Sequence, residues 1–160
     1  MGYTELHVTT NFSFLRGGSH PEELVAEAAG LGSTAIGITD RNTMAGIVRA
    51  HAAARTHGLR ILPGCRLDLL DGPPLLAYPK NKQAYARLCA LLTLGNTRTE
   101  KVQCHLYMAD LSRCAEDMIF IALHDKPLTP VWEVDKGFVQ HLKQFKAELG
   151  DHLYLGLNRA

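Results

Sequence analysis

Residues 3–24 read YTELHVTTNFSFLRGGSHPEEL. Over 3–9 apolar and polar residues alternate, with β-branched and aromatic types among them, which predicts a strand. Gly17-Gly18 predict a turn. The same pair would let a phosphate approach the next helix, although neither the P-loop nor the dinucleotide pattern is present. The helix that follows is punctuated at both ends. Ser19 or His20 caps it, Pro21 suits its first turn, Glu22 and Glu23 favour the positive end of its dipole, and Gly30 or Gly32 stops it. Such an opening is either an ordinary first strand or one that carries a ligand to the mouth of a barrel.

The alternation continues down the chain. STAIGITD is a short buried strand ending on Asp40. NTMAGIVRAHAAARTHG is a helix whose apolar positions Met44, Ile47, Val48 and Ala52 are spaced at three and four, with Gly58 as its stop. LRILPGCRLDLL and PLLAYP are strands around a turn at Asp71-Gly72. NKQAYARLCALLTLG is a helix, and KVQCHLYMADLSRCAED is a loop containing a short helix. MIFIAL is a strand, DKGFVQHLKQFKAELG a helix and HLYLGL a last strand. This β-α order predicts an α/β domain with a largely parallel sheet or barrel. Ligands of such folds sit beyond the carboxyl ends of the strands, and those ends carry Thr9, Asp40, Arg66 and His124. GNTRTEK is the most linker-like piece. The last strand closes a few residues before Ala160, so the chain is expected to stop before its fold is complete.

The 160 residues suit one domain or part of one, and 46% apolar with 21% charged residues is a globular composition. Lys and Arg number 17 against 16 Asp and Glu, a net charge of +1, so any contact with nucleic acid needs a local patch. Cys65, Cys89, Cys104 and Cys114 include no CxxC pair, which points to reduced thiols and a cytoplasmic chain. No apolar run reaches the roughly 18 to 20 residues of a membrane span. The N-terminus lacks the basic-then-apolar order of a signal peptide.

Unbroken alternation places Glu5, His7 and Thr9 on one strand face. A carboxylate and an imidazole so spaced are either a chelating pair or part of a half-buried face. ITDRNT offers a ligand or base at a strand end, or a helix cap through Asp40, Asn42 or Thr43. Cys104-His105 with Cys114 does not match structural zinc spacing. His51 and His57, six apart on one helix, read as surface residues. Lys80, Lys82, Arg87, Arg98 and Lys101, with Tyr85 nearby, either contact a phosphate or DNA backbone or form a solvated face.

Taken together, ELHVTTNFSFLRGGSHPEELVAEAAGLGSTAIGITDRNTMAGIVRAH, RAHAAARTHGLRILPG, YARLCALLTLG and CHLYMADL resemble the PHP (polymerase and histidinol phosphatase) domain that opens bacterial DNA polymerase III alpha subunits. They are most similar to the error-prone branch, used in translesion synthesis, and the resemblance runs from about residue 3 to the end. It implies a distorted (β/α)7 barrel, incomplete here, with 1–160 as a partial N-terminal PHP domain and the polymerase palm, fingers and DNA-binding modules absent. Active members hold a zinc or manganese cluster and hydrolyse phosphoesters, some as 3′–5′ exonucleases.

Position by position the implied ligands have changed. The family's His-x-His-x-His reads Glu5, His7, Thr9. An aspartate before the following glycine reads Arg16. Thr-Asp-His-Gly reads TDRN, keeping Asp40 and replacing the histidine by Arg41. Gly-x-Glu reads Gly64-Cys65-Arg66. A further histidine falls at Gly72, and a Ser-Gly-Cys reads His124-Asp125-Lys126. The family's last ligands lie beyond Ala160. Glu5, His7 and Asp40 are therefore metal-site remnants, and Thr9, Arg16, Arg41, Arg66 and Lys126 substituted positions. Arginine has no acceptor and stays charged. Near a divalent ion it costs roughly several kcal/mol even at an effective dielectric near 20.

No metal and no catalytic residue are thus expected in this fragment. Guanidinium–carboxylate pairs are expected in place of the ions, and the expected role is a scaffold rather than a phosphoesterase. The implied parent is a magnesium-dependent DNA polymerase serving translesion synthesis and DNA repair. The expected partners are the rest of that subunit, DNA through it, and translesion accessory proteins, with no membrane. Two rival readings stay open: a zinc- or manganese-dependent phosphoesterase or exonuclease using Glu5, His7, Asp40 and His124, and a stand-alone interaction module binding through its unfinished edge.

Overall fold

The computed structural model describes residues 3–101, 103–124 and 135–156. They fall into two compact units, Met1–Arg66 and Leu67–Ala160.

The first unit is a βαβαβ run. β1 (Glu5–Val8), β2 (Ala35–Ile38) and β3 (Arg60–Pro63) form a parallel sheet in the order β1-β2-β3. Two helices connect them, α1 (Pro21–Gly30) and α2 (Ile47–His57). The core is the inward row Ile36 and Ile38 of β2, met by Val25 of α1, Ile47, Ala50 and Ala54 of α2, and Leu59. Seven buried aliphatic residues on three elements are what close this unit, because neither helix hides its apolar stripe alone.

α1 begins where the sequence marks it. His20 is its cap, with Pro21 first in the helix, and the His20 backbone N–H donates to Glu23 Oε2 at 2.7 Å. α2 begins later than its apolar spacing predicts. Asn42 takes a left-handed φ of 51° and donates its N–H to Arg66 O at 2.8 Å, so residues 42–45 cannot continue a helix. Its buried face is Ile47, Ala50 and Ala54, while Val48 and Ala52 point to solvent. Gly58, left-handed at φ 65°, ends it as expected.

β4 (Cys65–Leu67) lies at the junction of the units. In the second unit β6 (Met118–Ala122) pairs antiparallel with β5 (Leu75–Pro79) and parallel with β7 (Leu153–Leu155), so the expected largely parallel order includes one antiparallel step. α3 (Lys82–Thr97) packs on β5, and α4 (Lys136–Leu149) packs near β7 and a 3-10 turn over Met108–Arg113. Asn81 caps α3 by accepting from Ala84 N, and Asp135 caps α4 by accepting from Phe138 N. The α/β class is as expected. Its strands are grouped in these sheets, and no closed barrel is seen among the described residues.

One close approach positions everything around the β1 terminus. A Cβ on Gly17 would lie 2.2 Å from Thr10 O and 2.5 Å from Thr10 C, inside backbone that has no room to give. The neighbouring Gly18 has open space around its Cβ position. Gly17→Ala is therefore expected to lower stability by about 2–4 kcal/mol, and Gly18→Ala to stay within about 1 kcal/mol of the parent, as measured by urea unfolding.

Candidate functional site

The carboxyl ends of β1 and β2 meet at Asp40. Its side chain is buried, at 1% exposure. Oδ1 accepts from the Thr10 N–H at 2.8 Å and the Ser13 hydroxyl at 2.6 Å, and Oδ2 accepts from the Thr10 hydroxyl at 2.8 Å. Ser13 Oγ also accepts from Arg41 N at 2.9 Å, so one hydroxyl joins the 10–17 loop to the β2 extension. Gly46 comes so close that a Cβ there would be 2.7 Å from Asp40 Oδ2. Asp40 is thus neither a cap of α2, whose N-terminal residue is Gly46 with no side-chain cap, nor an exposed ligand. It organises the loop after β1 by taking up donors that the turn would otherwise leave unsatisfied.

β1 itself departs from simple alternation. Glu5 is registered with Ile36 and Val8 with Ile38, so three steps on β1 match two on β2. The extra residue breaks the period that would have put Glu5, His7 and Thr9 on one face. Glu5 is exposed and its carboxylate is turned to its own neighbours. Oε2 accepts from the Tyr3 hydroxyl at 2.7 Å, and Oε1 from the His7 backbone N–H at 3.0 Å. Partial burial pushes the Glu5 carboxyl up, but the Tyr3 hydroxyl, the backbone N–H groups of His7 and Leu6 and the His7 charge together hold it below its ordinary value. His7, Val8 and Thr9 are half-buried.

The substituted arginines do not share one environment. Arg41 and Arg66 form a parallel bridge, with Arg66 N donating to Asp40 O at 3.0 Å and Asn42 N to Arg66 O. Registered partners on parallel strands present their side chains to the same face at about 5 Å separation, so two fixed cations stand side by side at this strand end. Arg16 is exposed on the loop. Lys126 lies outside the described residues, as does Asp125. His124, in the second unit, packs edge-on against Phe138 with ring centroids 4.7 Å apart.

These donors do not fit a divalent cluster. The Asp40 oxygens are committed to Thr10 and Ser13, Glu5 to Tyr3 and His7 N, and the adjoining pair is permanently cationic. Among the described residues no group of three or more His, Cys, Asp or Glu is placed to hold a metal ion. Thr10, Ser13, Gly17 and Gly46 were not singled out from the sequence. The available signal was a hydroxyl-rich TTNFS directly after a strand, with an aspartate ending the next one.

In the second unit, the cysteines and the basic set have structural neighbours. None of the four cysteines forms a disulfide. Burial raises the Cys104 thiol, and pushes Cys114 up to about 11. Thiols kept protonated by burial are poor zinc ligands. Arg98 binds Asp110 bidentately, at 2.5 and 2.8 Å, and lies 5.7 Å from the Tyr107 ring centroid. Asp110 also accepts from Tyr107 N at 3.0 Å and is nearly buried. The Arg98 hydrogen bonds, ahead of the opposing burial, hold the Asp110 carboxyl below its usual range. Arg87 donates to Glu116 O and sits 3.6 Å from the Glu116 carboxylate. Of the five basic residues, Lys80, Lys82 and Lys101 remain as exposed lysines. No helix among the described residues is long and apolar enough to cross a membrane.

Comparison with protein families matches the PHP domain over residues 5–160. The chain is 46% identical over 159 residues to an error-prone DNA polymerase of Caulobacter vibrioides, covering 99% of this chain and 14% of the relative. It is 50% identical over 157 residues to error-prone DNA polymerase 3 of Agrobacterium fabrum, again 14% of that protein. The chain therefore spans about one seventh of the curated relatives it matches. Among solved structures it is similar to a Bifidobacterium adolescentis protein assigned to the metal-dependent phosphoesterases, with a TM-score of 0.67 at 14% identity, over 91% of this chain and 74% of that one. It is also similar to an amidohydrolase from Chromobacterium violaceum, solved with bound sulfate and no metal, with a TM-score of 0.64 at 15% identity and the same coverage. At such identities these two show the fold alone.

Two outcomes follow from the geometry. Ser13→Ala removes one donor to a buried carboxylate and leaves Arg41 N without its acceptor, and is expected to cost about 1–3 kcal/mol in urea unfolding at neutral pH. Asp110→Asn is expected to destabilise by about 1–3 kcal/mol at pH 7. Because the native Asp110 carboxyl lies below its unfolded value, the pair's contribution is complete above the unfolded value near 3.9 and is lost as pH falls through the native one. The gap between parent and Asp110→Asn midpoints should therefore be constant from pH 7 to about 5 and narrow below about 4.

Proposed function

The chain belongs to the PHP domain family, and from that premise we propose that it is the N-terminal PHP region of an error-prone DNA polymerase, serving as a non-hydrolytic scaffold for the polymerase polypeptide. The observation that carries the scaffold reading is the Asp40 centre. A carboxylate at the barrel-mouth end of β2 is satisfied by a backbone N–H and two hydroxyls. Beside it two arginines stand in register. In this reading protein donors carry out the ordering that metal ions perform in hydrolytic relatives, and the fixed cations exclude a cluster electrostatically. The proposed guanidinium–carboxylate replacement is thereby modified: the carboxylate partners identified at Asp40 are hydroxyls and an amide.

Templated DNA synthesis past lesions, with its magnesium, its DNA and its accessory proteins, belongs in this reading to the parent polypeptide. The support is the identity of 42–50% to proteins named error-prone DNA polymerase. No residue of these 160 is assigned a part in nucleotidyl transfer. Function in DNA repair and a cytoplasmic location follow from the same proposal.

The test is elemental analysis of the purified chain beside a phosphodiester assay with added manganese. Zinc or manganese is expected well below about one tenth of an equivalent, with no product above the buffer rate. Near-stoichiometric metal together with manganese-dependent hydrolysis would overturn the scaffold role and favour a reduced-site phosphoesterase. Arg41→His combined with Arg66→Glu is expected to raise zinc affinity by about ten-fold or more, measured by competition with a chelating dye.

A further inference from the structure

We propose that Phe14 and Leu15, at the tip of the Thr10–Gly17 loop, form a docking knob for the remaining polymerase polypeptide; this rests on the function proposed above. The two side chains are 81% and 83% exposed, adjacent in sequence, with Phe12 at 38% and the exposed Arg16 beside them. An aromatic and an aliphatic residue flanked by arginine is the composition of an interface centre rather than of a solvated loop tip.

The loop that bears them is held rigidly. Asn11 N donates to Ser19 O at 2.9 Å, Ser13 N to Thr10 O at 3.0 Å, Arg16 N to Ser13 O at 2.9 Å and Gly17 N to Ser13 O at 3.1 Å. The Asp40 bonds to Thr10 and Ser13 fasten its base. Leu15 adopts a φ of 60°, a conformation that glycine or asparagine would take with less strain. A preorganised tip loses little conformational freedom on docking.

Size decides the occupant. Two such side chains bury at most about 150–250 Å² each, whereas a stable complex between free proteins needs about 1,200–2,000 Å² in total. The knob is too small to hold a second copy or an untethered partner. It is large enough to seat a segment of the same polypeptide, for which tethering supplies a high effective concentration. The relatives provide that segment, since the matched length is 14% of theirs and they are about seven times longer. The knob also stands at the Asp40 end of the sheet, a mouth that a hydrolytic domain must keep open and a scaffold can cover.

The experiment compares Phe14→Ser/Leu15→Asn with the parent, in the 160-residue chain and in the full polymerase polypeptide that carries it. Asparagine tolerates the left-handed backbone at position 15. The short chain is expected to keep its urea midpoint. The full polypeptide is expected to lose protection against limited proteolysis between the PHP domain and the rest by about five-fold or more. Unchanged proteolysis in a variant that still extends primers overturns the docking proposal and leaves the proposed function standing. A full polypeptide whose parent form extends no primer fails the proposed function instead. Dimerisation of the short chain that the double variant abolishes would assign the knob to a second copy and overturn this proposal. An equal loss of stability in the short chain would assign the tip a local packing role and also overturn it.

Discussion

A carboxylate removed from water is tolerated only when its lone pairs are met, and Asp40 meets them with Thr10 and Ser13. The first unit is built around that requirement. The loop after β1 must curl back to bring both hydroxyls to one anion. To curl that tightly it needs Gly17 against the Thr10 backbone, and to let the α2 entrance pass over the anion it needs Gly46. Asn42 turns left-handed to reach Arg66. Local conformations that look unrelated along the chain are consequences of a single buried charge.

The same centre separates this domain from a hydrolase without altering the framework. An αβ layer with ligands at strand ends is indifferent to whether ions or hydrogen bonds join those ends, provided that the loops are held. Ions would bring open coordination positions and a substrate path. Hydroxyl donors bring neither, and the registered Arg41 and Arg66 add positive charge where an ion would sit. Loss of chemistry with retention of architecture is the economical outcome of such an exchange.

In the second unit the comparable device is the pair Arg98–Asp110. It ties the end of α3 to the 3-10 turn through a fork of two hydrogen bonds, and the Tyr107 ring lies against the guanidinium. A residue that could have faced a phosphate backbone is instead compensated within the fold, as is Arg87 by Glu116. A count of basic residues in sequence overstates the charge available to a polyanion, because ion pairs between distant positions are invisible to it.

The sequence by itself determined the order and kind of the elements. Alternation marks β1, the His20-Pro21-Glu22-Glu23 run marks α1, and Gly58 marks the end of α2, since these signals act through neighbours along the chain. The PHP resemblance and the changed ligand positions were equally legible, because each is a local motif. Only the tertiary structure decided the bulge in β1, which comes from pairing with β2 and separates Glu5 from the expected face. It alone decided the pairing of Arg41 with Arg66, 25 residues away, and the capture of Thr10 and Ser13 by Asp40, 30 and 27 residues away. Such contacts are set by strand register and loop closure, which depend on how segments meet in space rather than on the residues within each one.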